Sequence, residues 1–232
     1  MVKIYYHIYA VDGIEKIMDE QLNLIQNFFT FPYLLNVGIS TPFQNKDISK
    51  ILENVYKYAK SNYAIRDVRY KSSEFVTLDL IENDCKNGII KDDDFVLYLH
   101  SKGASYIDRD IKRFENTQSW RRIMEYFLIE KHKDVFNIFN KTDFNTYGVF
   151  LYKRGRINLH YSGNFWWIRG DYAKTLDTSI IDKNNRYNAE SHFIQMGDWK
   201  PYCLYNNEPA LNNIYGYMFK REVYSKDRKS VV

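Results

Sequence analysis

At 232 residues, 45% of them hydrophobic and 27% charged, the chain is long enough to bury a substantial core and has the ordinary balance of a soluble globular protein. A net charge of +4, from 33 basic and 29 acidic residues, excludes the dense basic stripe of a nucleic-acid binder. The 21 Tyr, 15 Phe and 4 Trp make up 17%, a surplus suited to stacking on sugars or bases, although a compositional bias shared with Asn, Lys and Ile accounts for more than half of it.

In chain order, KIYYHIYAV (Lys3 to Val11) predicts a first strand, rich in β-branched and aromatic residues. Beyond Gly13, the apolar residues Ile14, Ile17, Met18, Leu22, Ile25 and Phe28 recur at helical spacing. Leu34 to Ser40 predicts a second strand, and Ile48, Ile51, Leu52, Val55 and Ala59 mark one face of a second helix. Ala64 to Tyr70 predicts a third strand. A helix capped by Ser72 or Ser73 and closed by Gly88 follows, and then the apolar strand Phe95 to Leu99. Three strand–helix units in succession predict an α/β fold with a mostly parallel central sheet flanked by helices.

The second half reads differently. A helical stretch is expected over 117–139, strands over Tyr147–Tyr152 and Leu159–Ile168, and short helical segments at RGDYAKTL and RYNAESHFIQM. After Pro201 the chain is Asn-rich and loop-like, with a short strand expected around Tyr215–Lys220. With no repeat and no linker rich in Pro, Gly or Ser, the expectation is one domain over 1–232. Residues of about 1–105 form a nucleotide-binding half, and about 106–232 form the other wall of a cleft and a tail.

Three stretches carry chemistry. In an open parallel sheet, ligands bind outside the carboxyl ends of the strands, where His100, Ser101, Lys102 and Gly103 fall. Lys102 suits a phosphate, Gly103 allows close backbone approach, and His100 is a candidate metal ligand or hydrogen-bond partner. The plainer alternative is a capped turn with a solvated lysine. In SGNFWWIRGDY, Gly163 and Asn164 permit a tight turn, and Trp166 and Trp167 point to opposite faces of a strand, one to the core and one to a cleft, or both to cores. In RYNAESHF, a helix puts Arg186, Ala189, Glu190 and Phe193 on one face, so Glu190 is either a general base for an acceptor hydroxyl or half of a structural ion pair; His192 is offset from it. Asp92, Asp93 and Asp94 are expected in a solvated turn. Gly-x-Ser-x-Gly, Walker, Gly-x-Gly-x-x-Gly and His-Glu-x-x-His motifs do not occur.

Cys85 and Cys203, far apart, argue against a thiolate zinc site and for a reducing compartment. No signal peptide and no long apolar run occur, so the expected location is the cytoplasm, of a bacterium or a virus-infected host cell, either free or as a surface-associated enzyme facing it, with no transmembrane segment. The basic tail KREVYSKDRKSVV is open either to peripheral contact with anionic lipid or to plain solvation.

LHSKGAS, TQSWRRIMEYFL, YSGNFWW and RYNAE, in this order and with EFVTL before them, resemble a group of polysaccharide-building glycosyltransferases that includes the rhamnan synthesis F family and related bacterial, algal and giant-virus enzymes. The resemblance spans roughly residues 70 to 195. It implies a GT-A type single domain that moves a sugar from a nucleotide-diphosphate donor, UDP-linked by expectation, to a glycan hydroxyl. It implies donor binding by Tyr9, Ala10, Val11, Glu74, Thr77, His100, Ser101, Lys102 and Arg121, and acceptor binding by Gly163, Asn164, Trp166, Trp167 and Arg186. Glu190 and Lys102 are the implied catalytic residues. His100, Ser101 and Lys102 stand where GT-A enzymes commonly carry an Asp-x-Asp motif, which leaves two expectations: a divalent ion (Mn²⁺ or Mg²⁺) held at His100, or Lys102 neutralising the diphosphate in its place. The missing motif also motivates a rival from another class, a non-catalytic carbohydrate- or nucleotide-sugar-binding module.

Overall fold

The computed structural model describes residues 1–59, 63–154, 157–191, 193–206 and 213–226. Three strand–helix units open the chain: β1 (Val2–Tyr9) and α1 (Glu15–Phe28), β2 (Tyr33–Thr41) and α2 (Ser49–Ala59), and β3 (Tyr63–Tyr70) and α3 (Phe75–Lys86). The chain then returns past β1 to form β4 (Phe95–His100). Helix α4 (Ile111–Glu125), a π-helical turn (Tyr126–Glu130) and α5 (His132–Lys141) follow. Strands β5 (Thr146–Gly148), β6 (Leu151–Arg154), β7 (Ile157–Tyr161) and β8 (Trp166–Arg169) precede the short helices α6 (Gly170–Ala173) and α7 (Asn188–Ser191), then β9 (Pro201–Cys203) and α8 (Arg221–Tyr224). No described helix is long and apolar enough to cross a membrane.

The described sheet has the order β3-β2-β1-β4-β8-β5-β9. β3, β2, β1 and β4 run parallel, β8 runs antiparallel to β4 and β5, and β9 runs parallel to β5. Alternate side chains feed two cores. Ile4, Tyr6, Ile8, Leu97, Leu99 and Trp167 pack with Ile17, Met18 and Leu22 of α1, whereas Tyr5, Val96, Tyr98, Trp166 and Ile168 pack with Leu78 and Ile81 of α3. Burial on both faces explains why β1 and β4 read as nearly unbroken apolar runs.

Several boundaries differ from expectation for local reasons. α3 starts after Glu74, without a side-chain cap from either serine, though Gly88 (φ +65°) does follow its end. The helix expected over 117–139 begins earlier, because the Asp110 side chain accepts the Arg113 N–H at 2.9 Å, and it is broken by the π turn. Left-handed Phe150 (φ +57°) separates β5 from β6 inside the expected strand Tyr147–Tyr152. Gly163 (φ +102°) and Asn164 (φ +54°) likewise split Leu159–Ile168 into β7, which pairs only with β6, and β8, which joins the main sheet. Tyr215–Lys220 forms no strand; a 3₁₀ turn occupies Ile214–Gly216. Nor is Asp94 solvated: it is 2% exposed, accepts the Lys91 N–H at 2.7 Å and pairs with Lys3 at 3.2 Å. His192 and residues 227–232 of the basic tail lie outside the described residues.

Candidate functional site

β1 lies between β2 and β4, with the chain leaving it on one side and returning on the other. The carboxyl ends of β1 and β4 therefore form a topological switch point, where open α/β sheets leave a crevice. A cleft of about 680 Å³ opens there, within the range of ligand sites. Its floor is His7, Tyr9, His100, Ser101 and Lys102; its walls include Ser40, Thr41, Lys71, Ser73, Glu74, Tyr106, Lys183, Arg186, Tyr187, Glu190 and Tyr215.

The turn after β4 is locked to its surroundings. The Ser101 N–H donates to the His7 carbonyl at 2.9 Å, and the Ser101 hydroxyl accepts the Tyr9 N–H at 2.9 Å, tying the end of β4 to that of β1. Gln21 of α1 donates to the His100 carbonyl at 3.2 Å, and Gln118 of α4 to the Lys102 carbonyl at 3.2 Å. Gly103 then turns with φ +91°, in the left-handed region glycine adopts without penalty. Held this way, Lys102 is only 6% exposed, and its ammonium sits 3.9 Å from the centre of the Trp120 ring. Among the described residues it has no carboxylate partner. A buried cation held over an aromatic face is ordinarily paired with an anion as well, so this ammonium keeps capacity for one.

His7 and His100 are register partners on β1 and β4, and both are buried. His100 Nε2–H donates to the Gly163 carbonyl at 2.9 Å, leaving Nδ1 as the acceptor, while Phe165 (5.0 Å, edge-on) and Tyr98 (6.4 Å, stacked) fix the ring. His7 bonds Thr77 Oγ1 at 3.0 Å and Ser40 Oγ at 3.2 Å. Burial pushes both imidazoles down to about 3, His100 being lowered further by the Lys102 charge and His7 by His100. Both are neutral hydrogen-bonding groups at pH 7.

Glu74 Oε2 accepts the Tyr98 hydroxyl at 2.7 Å and the Asn164 amide at 2.6 Å. Asn164 also donates to the Ala189 carbonyl at 3.3 Å and accepts the Trp166 indole N–H at 2.8 Å. The Gly163–Asn164 turn thus carries the order of the sheet to α7, which holds Glu190 at the cleft edge. A Cβ on Gly163 would lie 2.5 Å from Met124 Sδ and 2.9 Å from Trp120 Cζ2, so this position admits no larger residue without moving the wall beneath Lys102.

Of the residues expected in the site, Tyr9, Glu74, His100, Ser101, Lys102, Arg186 and Glu190 line the cleft. The others do not. Ala10 is fully buried in the core and Val11 packs against it. Thr77 is buried and acts by holding His7. Gly163 and Asn164 shape the turn rather than contact cleft space. Trp166 and Trp167 are both 0% exposed, one in each core, so neither offers a face to a sugar; an apolar strand buried on both faces leaves no room for one to turn out. Arg186 and Glu190 share the cleft but not a helix face, because α7 is only four residues long and starts after Arg186.

Arg121 is displaced furthest from expectation. It is fully buried, bonded to Glu125 at 2.6 Å and to Glu20, and its Nε donates to Gln118 at 2.8 Å. Burial raises the Glu20 carboxyl, but hydrogen bonds and charge from Arg122 and Arg121 outweigh it and leave it low. Arg121 touches no cleft space; it orients Gln118, which grips the Lys102 carbonyl. Arg121→Ala strands the Glu125 carboxylate in the core and is expected to reduce stability by about 3–5 kcal/mol. Urea denaturation checks this, and an unchanged midpoint would remove the network from the account.

His7, Ser40, Thr41, Lys71, Ser73, Tyr106, Lys183, Tyr187 and Tyr215 were not anticipated as lining. His7 had a visible signal, a histidine two residues before the end of a core strand. Tyr106 and Tyr215 had none, since they lie far apart in the chain and meet edge to face at 6.1 Å, with Arg113 4.5 Å from each ring.

These features define an α/β protein with a polar, largely cationic cleft at the switch point of a mostly parallel sheet. The chain belongs to the family described as Domain of unknown function (DUF8361), whose model matches residues 5–218. No curated protein matches the sequence significantly. Among solved structures, the chain is similar to S. aureus TarS 1–349, with 10% identity and a TM-score of 0.46, over 90% of this chain and 61% of that one. It therefore spans about three fifths of that solved chain, and a likeness at this level bears on neither reaction nor substrate.

Proposed function

We propose that the chain is a glycosyltransferase of GT-A type that takes a nucleotide-diphosphate sugar in the switch-point cleft and passes the sugar to a glycan hydroxyl. The observation that carries this reading is the buried Lys102 ammonium, unpaired among the described residues, in the same cleft as the Glu190 carboxylate. One group suits a leaving diphosphate and the other an attacking hydroxyl. The motif order read from the sequence, and a parallel α/β half followed by a second wall, fit the same reading.

In the proposed step, the bond from the sugar C1 to the diphosphate oxygen breaks and its electron pair leaves with the diphosphate. The acceptor oxygen forms the new bond to C1, and its proton passes to Glu190. Lys102 stabilises the charge that develops on the departing oxygen. Tyr9, at the end of β1, and Ser40 and Thr41, at the end of β2, line the same cleft and are assigned the nucleoside in this reading. UDP is the first donor nucleotide to try. A panel of UDP-, GDP- and dTDP-sugars, followed by calorimetry and by release of free sugar, tests the reading. Binding and slow hydrolysis of at least one donor is expected; neither binding nor hydrolysis of any would overturn it.

A further inference from the structure

We infer that this cleft neutralises the donor diphosphate with fixed protein cations, and that no divalent ion takes part in holding it. This rests on the transferase reading above and concerns how the same site meets its substrate's charge.

A divalent ion at a diphosphate needs oxygen or imidazole ligands turned toward it. Four side chains of ligand type line the cleft: His7, Glu74, His100 and Glu190. Among the described residues no three such groups come together closely enough to hold an ion. Three of the four are also partly engaged by their neighbours. Both nitrogens of His7 are bonded to Thr77 and Ser40. His100 spends Nε2–H on Gly163, keeping Nδ1 as a single acceptor on a ring held between aromatic neighbours. One oxygen of Glu74 takes both Tyr98 and Asn164. What stays open is one nitrogen of His100, one oxygen of Glu74 and the Glu190 carboxylate, and with no three ligands converging among the described residues this set does not build a resident metal site.

The place is already filled by charge. Lys102 emerges two residues after His100 with its ammonium buried over Trp120, its backbone tied through Gln118 to the Arg121 network. A dication beside this ammonium would be repelled in a site where screening by water is weak. Arg186 lines the same cleft and meets the Tyr187 ring at 5.0 Å, with no carboxylate partner among the described residues. Lys183, by contrast, is held by Asp79 at 2.7 Å. The diphosphate bridge of a nucleotide sugar carries two negative charges, and Lys102 with Arg186 supplies two positive ones. A point-charge ammonium and a forked guanidinium are each suited to phosphate oxygens.

Titrating UDP, GDP and dTDP into the full chain by calorimetry, in EDTA, in Mn²⁺ and in Mg²⁺, tests the inference. Mn²⁺ paramagnetic resonance, with the protein plus nucleotide against nucleotide alone, adds a readout independent of turnover. The expected result is a dissociation constant that changes by less than about threefold across the three conditions, with no additional Mn²⁺ immobilised by the protein. Binding that appears only with metal, or tightens tenfold or more with it, would overturn the inference and leave the transferase reading standing. Binding in no condition would overturn the reading and the inference with it.

Discussion

Glu190→Gln is expected to lower sugar transfer by roughly 10²–10⁴-fold while leaving donor affinity within a few-fold of the original. Glutamine keeps the size and hydrogen-bonding reach of the side chain but cannot take the acceptor's proton. Glu190 is partly exposed at the cleft edge, on a four-residue helix anchored through the Ala189 carbonyl to Asn164, so the substitution removes no core packing. Single-turnover rates with a saturating donor, set beside calorimetric donor affinities, separate the two effects. Parallel loss of affinity and rate would place Glu190 on the donor instead, and an unchanged rate would remove it from the chemistry. Persistent donor binding with no turnover in the unaltered chain would favour the rival binding module.

The second large effect is acid destabilisation. His7 and His100 have a folded-state pKa of about 3 against 6.5 for an ordinary histidine, mainly because burial penalises the imidazolium. Glu74 and Glu190 favour the charged forms, and Lys102 opposes that of His100, but burial dominates. Below pH 6.5 the unfolded chain binds protons that the folded chain refuses, so stability is complete above that pH and falls as pH drops toward 3. Each histidine removes up to about 1.4 kcal/mol per pH unit in that window. Between pH 7 and 5 the pair should therefore cost roughly 4 kcal/mol, above the range where most carboxylates titrate. Urea midpoints at the two pH values measure it, and His7→Asn should shrink the difference by about half. Equal stability at pH 7 and 5 would contradict the burial of these rings.

The parallel half was legible because its cause is local. β1, β2 and β4 are buried on both faces and α1 and α2 on one, and those burial patterns are the periodicities the residues display. The lysine turn was legible for a topological reason, since residues that follow a parallel strand must emerge at its carboxyl end. What escaped was set by backbone signs and by long-range packing. Phe150, Gly163 and Asn164 take positive φ and break two expected strands into four. A tryptophan pair at strand spacing looks the same whether one or both faces are covered, and here Phe193 covers Trp166 while Phe29 and Phe136 cover Trp167. Arg121 read as a phosphate ligand because sequence does not show Glu20 arriving from α1, about a hundred positions earlier, to meet it. His7 was missed because its place near the end of β1 points to a cleft only once β1 is known to lie between β2 and β4.

Lys102 is where fold, electrostatics and proposed chemistry meet, so its contribution to nucleotide binding tests the account most directly. Calorimetry of nucleoside diphosphate binding to the unaltered chain and to Lys102→Ala, at fixed salt, should show affinity falling by roughly 10–100-fold, as expected for removing a charge-assisted contact worth about 1.5–3 kcal/mol. Retained folding is checked by an unchanged denaturation profile. Equal affinity in a folded Lys102→Ala protein would contradict the claim that this buried ammonium is the diphosphate site.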